Sequence, residues 1–381
     1  MSRKHLGIYI HVPFCVSKCA YCDFYSLPCA ERGITDDAKR AYTGALIRHI
    51  EQISQRYENA VIDTVFVGGG TPTLLPCDSI YELTDALKRC FDLSKLKEFT
   101  FEANPATFDG EKLSVMRECG VDRLSIGMQS ACENELSALG RIHTHKDTEN
   151  SVNLARKCGF DNINLDIMYG IPYQTKDSFI STLKSAVSLS PEHLSVYGLQ
   201  IEEGTPIFKN REKYVFPSED EEYEMTFAML DLLRKNGYER YEISNYSKSG
   251  YECKHNLAYW TRGEYLGFGC GAYSFADGRR YYCERDLEAY VKCKNFDSIT
   301  ATDEVLTEND EAEEYIMLSL RLARGFSADV LRGMTEKANT YIKRTEKFVI
   351  SGLMREDNGF LSFTDQGFNV SNGIISEIIY G

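Results

Sequence analysis

The sequence predicts an α/β protein, an incomplete (βα)6 barrel followed by a small C-terminal α+β domain of winged-helix-like pattern. Three observations carry this. Six short apolar runs alternate with longer helical patterns over the first half of the chain. Glycine, cysteine and polar residues recur at the ends of those runs. An acidic helical stretch followed by an Asn-Gly hairpin closes the chain.

The strand candidates are residues 7–11, 64–67, 99–102, 123–126, 162–168 and 193–197. Between them, helical periodicity covers 39–56, 79–91, 111–119, 148–158 and 178–189. Repeated strand-then-helix order argues for parallel strands covered by helices. Gly120 and Gly159 follow helices and suit left-handed caps. A further helix is predicted over 218–236, with Tyr223, Phe227, Leu230 and Leu233 on one face and Gly237 closing it. Residues 240–246 read as a strand, and 307–324 as an acidic helix. Asn358-Gly359 marks the hairpin turn within 353–361. The predicted units are therefore a barrel over 1–245, a linking region over 246–306 and a terminal domain over 307–381.

Composition narrows the function classes. The chain has 381 residues, 43% hydrophobic and 26% charged, ordinary for a soluble globular protein. A net charge of −14 disfavours nucleic acid as a partner. No secretory signal is read in the opening Met1-Ser2-Arg3-Lys4-His5, and no apolar stretch reaches membrane-spanning length. The 13 cysteines then read as reduced thiols of a cytoplasmic protein, open to metal rather than paired as disulfides.

Cys15, Cys19 and Cys22 stand in C-x3-C-x2-C spacing directly after the first predicted strand. Three thiolates on one tight loop suit three corners of an iron–sulfur cube, with the fourth iron open to a ligand. Zinc with a recruited fourth ligand such as His11, and three unrelated buried thiols, are the competing readings. Gly68-Gly69-Gly70 and Thr71 follow the second strand. Glycines in a row let backbone N–H groups approach a ligand, or simply form a tight turn before Pro72; no phosphate-loop lysine follows. Glu102 ends the third strand, where a carboxylate suits a hydroxyl pair or a solvated strand end. Gln129 follows strand four and Asp166 lies on strand five, on the same predicted rim.

The string YIHVPFCVSKCAYCDF, residues 9–24, resembles the cluster loop of the radical S-adenosylmethionine (SAM) superfamily. It is similar to the oxygen-independent coproporphyrinogen III oxidase group, and within it most to the HemW-type heme chaperones. The resemblance implies a 4Fe–4S cluster on Cys15, Cys19 and Cys22. It implies SAM on the open iron, split by one electron into methionine and a 5′-deoxyadenosyl radical. It places Gly69, Gly70 and Thr71 at the methionyl amino group, Glu102 at the ribose, and Tyr9, Tyr21, Gln129, Arg141 and Asp166 around the SAM site. It also makes the terminal domain HemN-like.

Two features separate close relatives. The oxidases carry another cysteine two residues after the third, and here Phe24 stands there. The segment His255-Asn256-Leu257-Ala258-Tyr259-Trp260 holds the chain's one tryptophan. A histidine can ligate heme iron and aromatics can shield a porphyrin; a packed loop with a bonded His255 is the alternative. Cys253 is a rival ligand, and His143 and His145 read as loop histidines. H-N-x-x-Y-W resembles the heme-associated motif of HemW-like proteins, which assigns His255, Asn256, Tyr259 and Trp260 to heme. The resemblance thus implies a heme chaperone that delivers heme to an acceptor protein, such as a membrane respiratory enzyme, with an electron donor for the cluster. The enzyme alternative is oxidative decarboxylation of coproporphyrinogen III; a zinc-stabilised scaffold is the third reading.

Overall fold

The structure is a computed structural model that describes residues 3–381; Met1 and Ser2 of the opening stretch lie outside them. Its frame is a parallel run of strands: β1 (His5–Val12), β2 (Val61–Gly69), β3 (Glu98–Ala103), β4 (Arg123–Gln129), β5 (Asn162–Tyr169) and β6 (His193–Gly198). Consecutive members are hydrogen-bonded in parallel register. The connecting helices include α1 (Asp36–Ser54), α2 (Cys77–Cys90), α3 (Gly110–Cys119), α4 (His145–Lys157) and α5 (Lys176–Ser188). All six predicted strands and their helices are present. Gly120 and Gly159 take φ of 99° and 84°, the left-handed cap conformation that their position requires.

Alternation along the strands builds two environments. Ile8, Ile10, Val65, Val67, Phe99, Phe101, Leu124, Ile126, Ile163 and Leu165 form one continuous buried core with the surrounding helices. The intervening residues face the lumen and are polar: Thr64, Glu98, Thr100, Arg123, Ser125, Asn164 and Ser195 are all buried. A buried polar lumen is stable only when its groups satisfy one another, and most do so here.

The predicted 218–236 helix is α6 (Glu219–Lys235), and the predicted 240–246 strand is two short strands, β7 (Glu239–Arg240) and β8 (Asn245–Ser247), which extend the sheet antiparallel beyond β6. The 246–306 region is more than a link, which corrects the sequence expectation. It contains the helix α7 (Lys254–Trp260) and the strands β9 (Tyr265–Phe268), β10 (Tyr273–Ala276), β11 (Arg279–Cys283) and β12 (Thr300–Val305). β9 lies parallel to β1, and β10, β11 and β12 follow antiparallel, giving a twelve-stranded sheet that ends at two edges and does not close.

The acidic helix α8 (Glu308–Ser319) ends earlier than predicted, and a second core runs from Ala312 to Ile379. It contains α9 (Ala328–Met334), α10 (Ala338–Ile350) and α11 (Ser371–Tyr380) around a three-stranded sheet of β13 (Phe326–Ser327), β14 (Met354–Asp357) and β15 (Phe360–Phe363). Asn358 and Gly359 turn the hairpin with φ of 48° and 77°, the pair of positive values a two-residue turn needs. Arg234 anchors this unit to the barrel through a 2.7 Å pair with Asp365. Among the described residues, no helix is long and apolar enough to cross a membrane.

Candidate functional site

The cysteine loop leaves the C-terminal end of β1. Its two ends are clasped where Phe14–Cys15 runs parallel to Leu27–Pro28. His11 fixes the far side of the loop, with Nε2 2.7 Å from the Tyr25 carbonyl and Nδ1 3.0 Å from the Tyr9 hydroxyl. Cys15, Cys19 and Cys22 are free and partly exposed. Burial, and the other two thiols, push the Cys15 thiol up to about 11, against a hydrogen bond from Thr71; burial raises Cys22 as well. Such thiols stay protonated until a cation replaces the protons.

A chain of hydrogen bonds ties the loop to three strand ends. The Thr71 hydroxyl donates to Cys15 Sγ at 3.6 Å, and Asn104 Nδ2 donates to Thr71 Oγ1 at 2.7 Å. Arg141 Nη2 donates to Asn104 Oδ1 at 2.7 Å and to the Gly127 carbonyl at 2.8 Å, while Nη1 reaches Cys19 Sγ at 3.6 Å. Asn104 was not singled out in the sequence. Its place two residues after Glu102 on the same strand end was the available signal.

Gly68, Gly69 and Gly70 lie against this brace. A Cβ on Gly68 would stand 2.8 Å from Glu102 Oε2, and one on Gly70 would stand 2.7 Å from the Phe14 carbonyl oxygen. Gly69 takes φ of 108°, and its N–H donates to Glu102 Oε2 at 3.0 Å. Burial, then the Asp166 charge, push the Glu102 carboxyl up to about 7. Asp166 receives Asn164 Nδ2 at 2.8 Å and the Ser125 hydroxyl at 3.3 Å; burial raises its pKa too. Gln129 ends β4 at φ of 62°, a strained value for a non-glycine residue, where the β4–β5 register shifts. The Tyr21 phenol, half-buried, is raised by burial and sits within the fields of Arg141, Cys19, Cys22 and Asp166. The rim residues predicted from sequence therefore converge, with Tyr9 and Tyr21 beside them.

The H-N-x-x-Y-W segment does not join this group. It forms α7, which plugs the opposite, N-terminal end of the lumen. His255 is 1% exposed, with Nδ1 2.8 Å from Thr64 Oγ1 and Nε2 2.8 Å from the Tyr259 hydroxyl, and its ring stacks on Phe66. Both ring nitrogens are occupied. Where an open loop was expected there is a helix, and it holds the imidazole by cross-lumen bonds on both nitrogens. Glu98 caps the helix, accepting from the Lys254 N–H at 2.8 Å, the His255 N–H at 3.1 Å and Cys253 Sγ at 3.3 Å. Cys253 is thereby engaged. The Trp260 side chain meets the buried Glu242 carboxyl, which burial pushes up to about 7, and Asn256 is half-buried on the helix. His143 is buried with Nε2 3.2 Å from the Met128 carbonyl, and His145 opens α4 near Glu149.

The rim suits a cube and a bound cosubstrate by its donor chemistry. Three thiols share one loop, and glycine backbone lines the space beside them. Among the described residues no three His, Cys, Asp or Glu side chains gather to hold a single metal ion. Three thiolates that each hold a different iron have no need to.

The model of the Radical SAM superfamily matches residues 9–186. The heme chaperone HemW of Lactococcus lactis is 32% identical, over 100% of this chain and 98% of that protein. That of Bacillus subtilis is 37% identical over 84% of each, and that of Escherichia coli 39% over 72% of each. The solved coproporphyrinogen III oxidase (HemN) from Escherichia coli superposes with a TM-score of 0.84 at 22% identity, over 99% of this chain and 90% of that one, and so shares the fold. Superfamily membership brings a 4Fe–4S cluster and SAM as cofactors. On identity of 32–39% over 72–100% of its length to these proteins, the chain belongs to the HemW heme chaperone family of radical SAM proteins.

Proposed function

We propose that this chain binds heme and passes it to an acceptor protein, using a radical SAM core at the C-terminal rim of its barrel. The observation that carries the reading is the brace that joins two cluster thiols, Cys15 and Cys19, to three strand ends through Thr71, Asn104 and Arg141. When bound, a 4Fe–4S cluster supplies one electron and an open iron for SAM.

The chain's own residues do the rest. Cys15, Cys19 and Cys22 hold the cluster. Backbone at Gly69, Gly70 and Thr71 meets the amino end of SAM, and Glu102 accepts from the ribose hydroxyls. Gln129, Arg141 and Asp166 line the site, with Tyr9 and Tyr21 as walls. The heme end centres on α7, with His255, Asn256, Tyr259 and Trp260. The acceptor is a heme protein, such as a membrane respiratory enzyme met at the cytoplasmic face, and a soluble reductant supplies the cluster electron.

Anaerobic reconstitution followed by iron, sulfide and heme counting tests this. The expected result is one cluster per chain, lost in the Cys15→Ala/Cys19→Ala/Cys22→Ala variant, and heme uptake by the wild type. The position of Phe24, 66% exposed beside the loop, argues against the oxidase reading. Vinyl product from coproporphyrinogen III with SAM and reductant would restore that reading and displace ours.

A further inference from the structure

His193 is fully buried in the lumen, at the point where β6 pairs with β5 across from Asn164. Its Nδ1 stands 2.6 Å from Asn164 Oδ1, and its Nε2 stands 2.7 Å from the Tyr241 hydroxyl. Each neighbour leads to a different end of the barrel. Asn164 Nδ2 donates to Asp166 at 2.8 Å and to the Ser125 hydroxyl at 2.7 Å, while the Ser195 hydroxyl donates to Asn164 Oδ1 at 3.1 Å. The Tyr241 oxygen accepts the Cys253 N–H at 3.2 Å, where α7 begins.

One set of donors and acceptors satisfies this chain. The Asp166 carboxylate accepts, so Asn164 turns Nδ2 to it and Oδ1 to His193. His193 Nδ1 then carries the hydrogen, and burial, with the Arg123 charge nearby, keeps the ring neutral. Nε2 is left to accept from the Tyr241 hydroxyl. Every N–H and O–H along the chain thus points towards the rim carboxylate, and hydrogen bonds aligned in this way strengthen one another. The far end matters to α7. That helix has 7 residues, too few to hold itself, and its N-cap Cys253 makes no side-chain cap bond. The N–H groups of Cys253, Lys254 and His255 go instead to Tyr241 and Glu98.

Resting on the assignment of Asp166 to the SAM site, we propose that His193 is a positioning residue that couples occupation of that site to the anchoring of α7 at the opposite end of the lumen. A donor or cation brought to Asp166 favours its ionised form. Each acceptor along the chain then becomes stronger in turn, and the bond that holds the Cys253 N–H tightens. The two states of the device are a capped and a frayed first turn of α7. Linkage makes the effect reciprocal: whatever holds that turn in place tightens SAM by the same factor.

Amide hydrogen exchange on the full-length protein, reconstituted anaerobically with its cluster and measured with and without SAM, tests the coupling. In the wild type SAM is expected to slow exchange at Cys253, Lys254 and His255 by about fivefold or more, while the amides of α10 in the terminal domain stay unchanged. Tyr241→Phe, which keeps the ring, still binds SAM and loses the response at α7. His193→Leu weakens SAM and loses the response. His193→Gln, whose amide offers one donor and one acceptor, retains both. A response that survives in Tyr241→Phe, or that is missing from a wild type that binds SAM, overturns the coupling and leaves the SAM assignment standing. A His193→Gln variant as impaired as His193→Leu overturns it too. Failure of the wild type to bind SAM sinks the SAM assignment itself.

Discussion

Arg141 stands with Nη1 3.6 Å from Cys19 Sγ while Nη2 holds Asn104 and the Gly127 carbonyl. A fixed cation donating to a cluster thiolate stabilises the more negative, reduced state and so raises its potential. Arg141→Met should therefore lower the cluster's reduction potential by tens of millivolts while iron and sulfide content persist. Anaerobic EPR-monitored redox titration reads this directly.

The Glu102 carboxyl titrates near 7 in the folded chain against an ordinary 4.5. The unfolded chain therefore loses its proton first. The stability associated with the protonated group is full below about 4.5 and is lost as pH rises to about 7. The loss is about 3 kcal/mol. In urea titrations across that window, Glu102→Gln should flatten the slope. It should also weaken SAM, because an amide accepts ribose hydroxyls less strongly than a carboxylate.

Gly70 has no room for a side chain: a Cβ would meet the Phe14 and Val12 carbonyl oxygens at 2.7 and 2.8 Å. Both are backbone atoms, so relief requires moving the loop that carries Cys15. Gly70→Ala should cost about 1–3 kcal/mol and reduce cluster occupancy. Thermal melts and iron counts on the same sample check both. Gly120→Ala is a useful contrast. Nothing crowds that site, and only its φ of 99° resists the change, so cluster content should hold.

Arg123 is buried at the lumen floor beside Glu98, Cys253 and Asp166. Its charge compensates the Glu98 carboxylate that caps α7. Arg123→Met removes the positive charge that acts on that carboxylate, and the fold should lose stability. Glu98→Gln in the same background should recover part of it, since it removes the buried charge while its one amide oxygen still accepts one of the two helix N–H groups. A double-mutant cycle by urea denaturation measures the coupling.

The barrel was legible because its signals are local. Six apolar runs, their caps and the glycines after them each sit within a few residues, and the C-x3-C-x2-C loop and Gly68-Gly69-Gly70 announce the rim. What escaped depends on distant pairing. Thr64 and His255 are 191 residues apart, and nothing near either predicts their 2.8 Å contact. Tyr265–Phe268 is four residues long, too short to carry periodicity; its place beside β1 follows from burial against Ile8 and Ile10. The motif around His255 was found by its residues, while its environment was decided by Glu98 and Thr64, two polar side chains on distant strands. Arg141 lies on a connecting segment, and its role becomes visible only when Asn104 and Cys19 are brought beside it.

The pairing of β9 with β1 has a temporal consequence. Residues 7–10 lack one neighbour until residues 265–268 have left the ribosome. At ordinary elongation speeds that interval lasts roughly 10–50 s. Throughout it, Cys15, Cys19 and Cys22 hang from a half-flanked strand in a nascent polypeptide. Metallation, or accidental oxidation of those thiols, thus competes with translation itself, and slowing synthesis between these segments should raise the fraction of chains emerging without iron.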